Sequence, residues 1–137
     1  MNTTIPTAVV NHLALTVTNL ARSERFYTSL LGFKKLMDLS ASRVLLANSG
    51  GAVIALTTAT DPNLAPPGDS FNENRVGLDH LSFSVADLAA LADAAHLLDQ
   101  NGVTHGEIKD LTGLKLYVMA LRDPDNIQLE LTAPYAG

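Results

Sequence analysis

The chain has no cysteine among its 137 residues. That excludes a disulfide framework, a thiolate nucleophile and any zinc site built on cysteine. Long apolar runs are missing too: none approaches the roughly 18 residues that cross a bilayer. The opening residues Met1 to Pro6 carry neither a basic segment nor an apolar one of the kind that begins a secretory leader. Positive charge is scarce. Nine Lys and Arg against 14 Asp and Glu leave a formal net charge of −5 at pH 7, which argues against nucleic acid or an anionic membrane as the main partner. No glycine-rich phosphate loop, basic cluster or Ser/His/Asp spacing of a hydrolase is present. What remains reads as a soluble, cytoplasmic protein of one domain's length, and its hydrophobic fraction of 47% is enough for a packed core.

The chain states one pattern twice. Asn11-His12-Leu13-Ala14-Leu15-Thr16-Val17 returns 68 residues later as Asp79-His80-Leu81-Ser82-Phe83-Ser84-Val85, and each copy leads into a helix opening, Asn19-Leu20-Ala21 and Asp87-Leu88-Ala89. An internal repeat of this size sets the architecture before any single residue does. Val9 to Val17 alternates with period two and predicts a half-buried strand. Asn19 caps a helix over Leu20 to Leu31, with Ser23, Phe26, Tyr27 and Leu30 at helical spacing and Gly32 as its stop. Strands follow at Lys34 to Leu39, Arg43 to Ala47 and Ala52 to Thr57. The second half repeats the order: a strand over Leu78 to Val85, a helix capped by Asp87 and running to Gln100, then strands near Thr104 to Lys109, Lys115 to Leu121 and Ile127 to Thr132. In that second helix Leu88, Leu91, Ala92, Ala95 and Leu98 form the apolar stripe. Asp123-Pro124-Asp125-Asn126 supplies the last hairpin turn. The fold class is therefore α+β, with βαβββ modules at 8–57 and 76–134 and a Pro- and Gly-rich linker loop at 58–75, the whole forming a single domain over 1–137.

Parity then isolates a constellation. Ile127, Leu129 and Leu131 are the core-facing set of the last strand, so Glu130 faces the other way. His12 and His80 likewise fall on the non-core faces of their strands. Two imidazoles and one carboxylate are the donors of a facial triad, suited to Fe2+, Mn2+, Co2+, Ni2+ or Zn2+ with coordination positions left open. A lone glutamate inside an apolar strand is uncommon unless something uses it. By contrast His96 reads as a helix-surface residue, His105 as a strand-end residue, Asp123 and Asp125 as turn formers, and Phe26 and Tyr27 as packing.

These motifs, together with Phe26-Tyr27…Leu30-Leu31-Gly32-Phe33 and Arg122-Asp123-Pro124-Asp125-Asn126-Ile127-Gln128-Leu129-Glu130-Leu131, resemble the vicinal oxygen chelate superfamily from about Val9 to Pro134. That superfamily groups glyoxalase I, bleomycin-resistance proteins, fosfomycin-modifying enzymes, methylmalonyl-CoA epimerases and extradiol dioxygenases. The resemblance implies paired βαβββ modules forming a cupped mixed sheet around a divalent metal, a homodimer, and metal positions His12, His80 and Glu130. The fourth ligand of glyoxalase I and the epimerase corresponds to Ala55, which has no donor atom. The tyrosine of the dioxygenases and fosfomycin enzymes corresponds to Ala120, while Tyr117 has the opposite parity.

Parity also gives a candidate substrate wall of Val53, Ala55, Ser82, Val118, Ala120 and Gln128, small, largely apolar and without Lys or Arg. Such a wall favours a neutral, fairly apolar substrate whose vicinal oxygens chelate the metal, because a phosphonate or a CoA phosphate would call for positive charge. Two functions follow: a metal-dependent lyase, isomerase or ring-cleaving dioxygenase, or a bleomycin-resistance-type protein that sequesters a drug without chemistry.

Overall fold

Asn19 and Asp87 do what their positions predict. Each sits in extended backbone and accepts a hydrogen bond on its side-chain oxygen from an amide three residues on, Arg22 N at 3.0 Å and Ala90 N at 2.8 Å. Gly32 and Gly102 take positive φ, 74° and 65°, just beyond the helices they terminate. In this computed structural model, which describes residues 3–136, these signals frame two βαβββ modules. The chain divides into two compact units between Asn63 and Leu64.

The first unit holds β1 (Leu13–Thr16), α1 (Leu20–Ser29), β2 (Lys34–Ser40), β3 (Arg43–Ala47) and β4 (Val53–Thr57). Its four-stranded sheet runs β1-β4-β3-β2, with β1 parallel to β4 and the other pairs antiparallel. The second unit holds β5 (Leu81–Ser84), α2 (Leu88–Gln100), β6 (Lys109–Leu111), β7 (Leu116–Arg122) and β8 (Gln128–Pro134). Its sheet runs β5-β8-β7-β6, again with one parallel pair, β5 with β8. A parallel pair needs a crossover, and α1 and α2 begin those crossovers. The duplication extends to single bonds: Val17 N donates to Thr57 O at 2.8 Å, and Val85 N donates to Thr132 O at 2.9 Å.

Each helix seals one face of its own sheet, α1 against β4 and α2 against β8 and β7. In the first unit Tyr27 is fully buried edge-on between Phe26 and Phe33, with Leu15, Leu46, Ile54 and Leu56 completing the core. In the second, Leu91 and Leu98 of α2 are buried together with Met119, Leu121, Leu129 and Leu131 of the sheet. Each such side chain contributes about 1.5–3 kcal/mol by leaving water. The apolar stripe of α2 is narrower than its sequence predicts. Leu88 and Ala92 are exposed, because the helix seats mainly through Leu91 and Leu98, two turns apart.

Three predicted strands differ by more than two residues at an edge. Those over Val9 to Val17 and Leu78 to Val85 begin later, at Leu13 and Leu81, within one residue of the points opposite the first residues of their partners β4 and β8, Val53 and Gln128. The strand near Thr104 to Lys109 is broken: His105 makes an isolated bridge with Leu121, and regular pairing resumes only at Lys109. The segment 58–75 is also more ordered than a plain linker. Phe71 N donates to Asp125 O at 2.9 Å and Asn126 Nδ2 donates to Phe71 O at 3.0 Å, which fastens it to the β7–β8 turn.

Candidate metal centre

His12 and His80 each stand one residue ahead of a strand, and in both cases the preceding side chain holds the ring. Asn11 Oδ1 is 2.8 Å from His12 Nδ1, and Asp79 Oδ1 is 2.7 Å from His80 Nδ1. An amide or carboxylate oxygen can only accept, so Nδ1 carries the hydrogen, and of the two neutral tautomers these contacts select the one with its lone pair on Nε2. That is the tautomer a metal-binding imidazole needs. The asparagine and aspartate ahead of the two histidines were visible in the repeat, but their role becomes evident only from these contacts.

In the second unit β8 runs between β5 and β7. Ser82 and Ala120 are both in register with Glu130, Ser84 and Val118 with Thr132, and Arg122 with Gln128. Residues in register share a face, so Ser82, Glu130, Ala120, Val118 and Gln128 do line one side of this sheet. Glu130 Oε1 lies 3.8 Å from His80 Nε2. Donor atoms bound about 2.1 Å from one ion at ordinary angles are about 3–3.5 Å apart, so a small rotation brings the pair to ligand spacing. Thr132 Oγ1 donates to Glu130 Oε1 at 3.4 Å and lies 2.6 Å from Ser82 Oγ.

The first unit supplies a plainer face. Ala55 is in register with Ala14 as Glu130 is with Ser82, which confirms Ala55 as the structural counterpart of Glu130. It is buried, and Val53 beside it is half-buried. The counterparts of Gln128 and Arg122 are Val53 and Ala47, also in register with each other. Donor chemistry is therefore concentrated in the second unit, and the first offers His12 on an apolar setting. Among the described residues, no three His, Asp or Glu side chains are drawn together as a group able to hold a metal. What the structure does gather is the pair His80 and Glu130. In chemistry, two imidazole Nε2 atoms with Nδ1 engaged and one carboxylate are a set that fits a divalent transition-metal ion.

One expectation is corrected. The face is not free of positive charge: Arg122 shares it at the Gln128 row, and Lys109 lies in register with Val118 at the exposed edge. Counting two residues on from Ala120 would have found Arg122. Its guanidinium is already engaged. Nη1 and Nη2 donate to the two carboxylate oxygens of Glu73 at 3.0 and 2.9 Å, and Nη2 also donates to Gln128 Oε1 at 3.2 Å. This forked contact holds the Glu73 carboxyl down at about 2 and raises Arg122 further.

The remaining candidates fall outside the site. His105 lies 2.8 Å from Gly106 O through Nδ1 and 2.7 Å from Asp99 Oδ1 through Nε2. Those two acceptors raise its pKa, Gly106 most. His96 is exposed and contacts Gln100. Tyr117 faces away, as parity predicts, with its ring against Tyr135, whose hydroxyl donates to Asp110. Asp123 Oδ1 accepts from Asp125 N and Ile127 N, both at 2.8 Å, and so builds the turn.

The family model for the glyoxalase/bleomycin resistance protein/dioxygenase superfamily matches residues 9–131. The chain belongs to that superfamily. A glyoxylase/bleomycin resistance protein/dioxygenase domain from Frankia sp. EAN1pec is 33% identical, with a TM-score of 0.83 over 96% of this chain and 95% of that one. Two more distant structures share the fold. The lactoylglutathione lyase of Agrobacterium tumefaciens is 18% identical, with a TM-score of 0.69 over 94% of this chain and 96% of its own. The fosfomycin resistance protein FosX of Listeria monocytogenes is 16% identical, with a TM-score of 0.70 over 93% of each chain. No curated protein is significantly similar to the chain. No helix among the described residues is long and apolar enough to cross a membrane.

Proposed function

We propose that this superfamily member is a divalent-metal-dependent enzyme acting on a small, fairly apolar substrate with vicinal oxygens, by a lyase, isomerase or ring-cleaving dioxygenase reaction. His12, His80 and Glu130 are its ligands. The observation that carries the reading is the matched aim of the two rings: Asn11 and Asp79 occupy Nδ1 in both copies and leave Nε2 free, and in the second unit that atom faces Glu130. FosX of Listeria monocytogenes has been solved with Mn(II), which supports a divalent ion here. Fe2+, Mn2+, Co2+, Ni2+ and Zn2+ all suit two imidazoles and a carboxylate. A metal held there supplies Lewis acidity to a chelated substrate oxygen. Val53, Ala55, Val118 and Ala120 give the substrate an apolar wall, Ser82 and Gln128 give it hydrogen-bonding partners, and the protein works as a homodimer.

The test is elemental analysis of protein purified without chelator or affinity tag, together with His80→Ala. Near-stoichiometric metal that disappears in the variant supports the assignment. Absence of metal, with no uptake of added Fe2+, Mn2+, Ni2+ or Zn2+, overturns it. A second reading, sequestration of a drug as in bleomycin-resistance proteins, is favoured by one observation: Ala120, directly in register with Glu130, and Ala55, its counterpart in the first unit, leave two positions without a proton-handling or ligating group. Metal-dependent turnover of catechols, α-hydroxy ketones or thiol adducts separates the two readings.

A further inference from the structure

His80 is the end of a longer chain of contacts. Glu73, in the segment that precedes β5, takes both forks of Arg122. Arg122 Nη2 donates to Gln128 Oε1 at 3.2 Å. Gln128 Nε2 donates to Asp79 Oδ1 and to Asp79 O, both at 3.1 Å. Asp79 Oδ1 then meets His80 Nδ1.

The chemistry of these groups makes the chain directional. Arginine can only donate, so the Gln128 amide must turn its oxygen toward Arg122 and its NH2 toward Asp79. A carboxylate can only accept, so His80 presents Nδ1–H to Asp79, which of the two neutral tautomers selects the one with its lone pair on Nε2. No link can reverse without setting donor against donor or acceptor against acceptor. The Glu73 and Arg122 side chains are about a quarter exposed, at 26% and 25%, and two parallel hydrogen bonds fix their mutual geometry. In the first unit Val53 and Ala47, which cannot form such links through their side chains, stand where Gln128 and Arg122 stand in the second.

We propose that Glu73, Arg122 and Gln128 are positioning residues that act through Asp79 to set the tautomer and aim of the His80 ring, so that the donor geometry of the second unit is governed from the segment before β5. Metal affinity is one consequence, and that part rests on the function proposed above. The state of the His80 ring does not depend on it.

The experiment reads both in the full-length protein. Long-range proton–nitrogen NMR of the metal-free wild type should show His80 as the Nδ1–H tautomer. Gln128→Leu, close in size and unable to hydrogen-bond, should turn it into a tautomer mixture. Titration with Mn2+, followed by the loss of the free-ion EPR signal, should show affinity falling roughly 10- to 100-fold in Gln128→Leu. Glu73→Gln should give a smaller fall in the same direction, and Glu73→Asp should recover part of it. Lys35→Ala, which removes an ion pair with Asp38 in the first unit, should leave both readouts at wild-type values, and thermal unfolding of each variant confirms that it is folded. An unchanged His80 tautomer in folded Gln128→Leu and Glu73→Gln overturns the proposal. A tautomer shift in protein whose wild type takes up no Mn2+ upholds the relay and rejects the metal.

Discussion

A histidine's meaning here depends on what holds its Nδ1. His12 and His80 are held by the side chain just before them and keep Nε2 open, whereas His105 has both nitrogens engaged by oxygen acceptors. Two acceptors favour the protonated ring, so the folded pKa of His105 stands above its ordinary value of 6.5. Protonated His105 therefore stabilises the fold fully below pH 6.5, and that contribution is lost as the pH rises through the raised value. Denaturant unfolding at two pH values checks this: His105→Gln should cost up to about 1 kcal/mol at pH 5.5 and less at pH 9. Glu73 behaves in the opposite sense. Its carboxyl is held down at about 2 from 4.5, so its contribution is present above about pH 4.5 and is lost as the pH falls through 2. The stability difference between wild type and Glu73→Gln should be flat from pH 8 to 5 and shrink steadily below that.

Between residues and modules lie the elements, and here the sequence was most legible where a side chain closes a backbone bond. Asn19, Asp87, Gly32 and Gly102 mark helix ends because cap oxygens and positive φ are local requirements. Asp87→Ala should lower the unfolding free energy by about 1 kcal/mol. Leu129→Ala, which empties a fully buried site between β7 and β5, should cost about 2–5 kcal/mol. Chemical denaturation measures both. Legibility failed where the outcome depends on a distant partner. The late start of β1 and β5 goes with where β4 and β8 begin, and the interrupted pairing at His105 falls where that ring reaches back to Asp99 on α2. Glu73 could not be found from sequence, because its role exists only through Arg122, 49 residues away.

For the whole molecule, the repeat announced the α+β fold and its two modules, and it placed His12 and His80 at matching points. It did not announce how unequal the modules are. The second carries Glu130, Gln128 and Arg122 where the first carries Ala55, Val53 and Ala47. Because the proposed ligands come from both kinds of module, mixing variants tests how a site is assembled. If His12 of one copy joins His80 and Glu130 of another, an equal mixture of His12→Ala and His80→Ala proteins that exchange subunits freely should restore about a quarter of the metal-binding sites, one in each mixed dimer. Ligands drawn from one copy should restore none.

Metal stoichiometry of untagged wild type, measured beside His12→Ala, His80→Ala and Glu130→Ala, tests whether these three side chains form one site. Three ligands acting together require about one divalent ion per chain in the wild type and at least about a 100-fold loss of affinity in each variant. Wild-type protein that neither carries nor takes up a divalent metal, or variants that bind it as the wild type does, would contradict the three-ligand site.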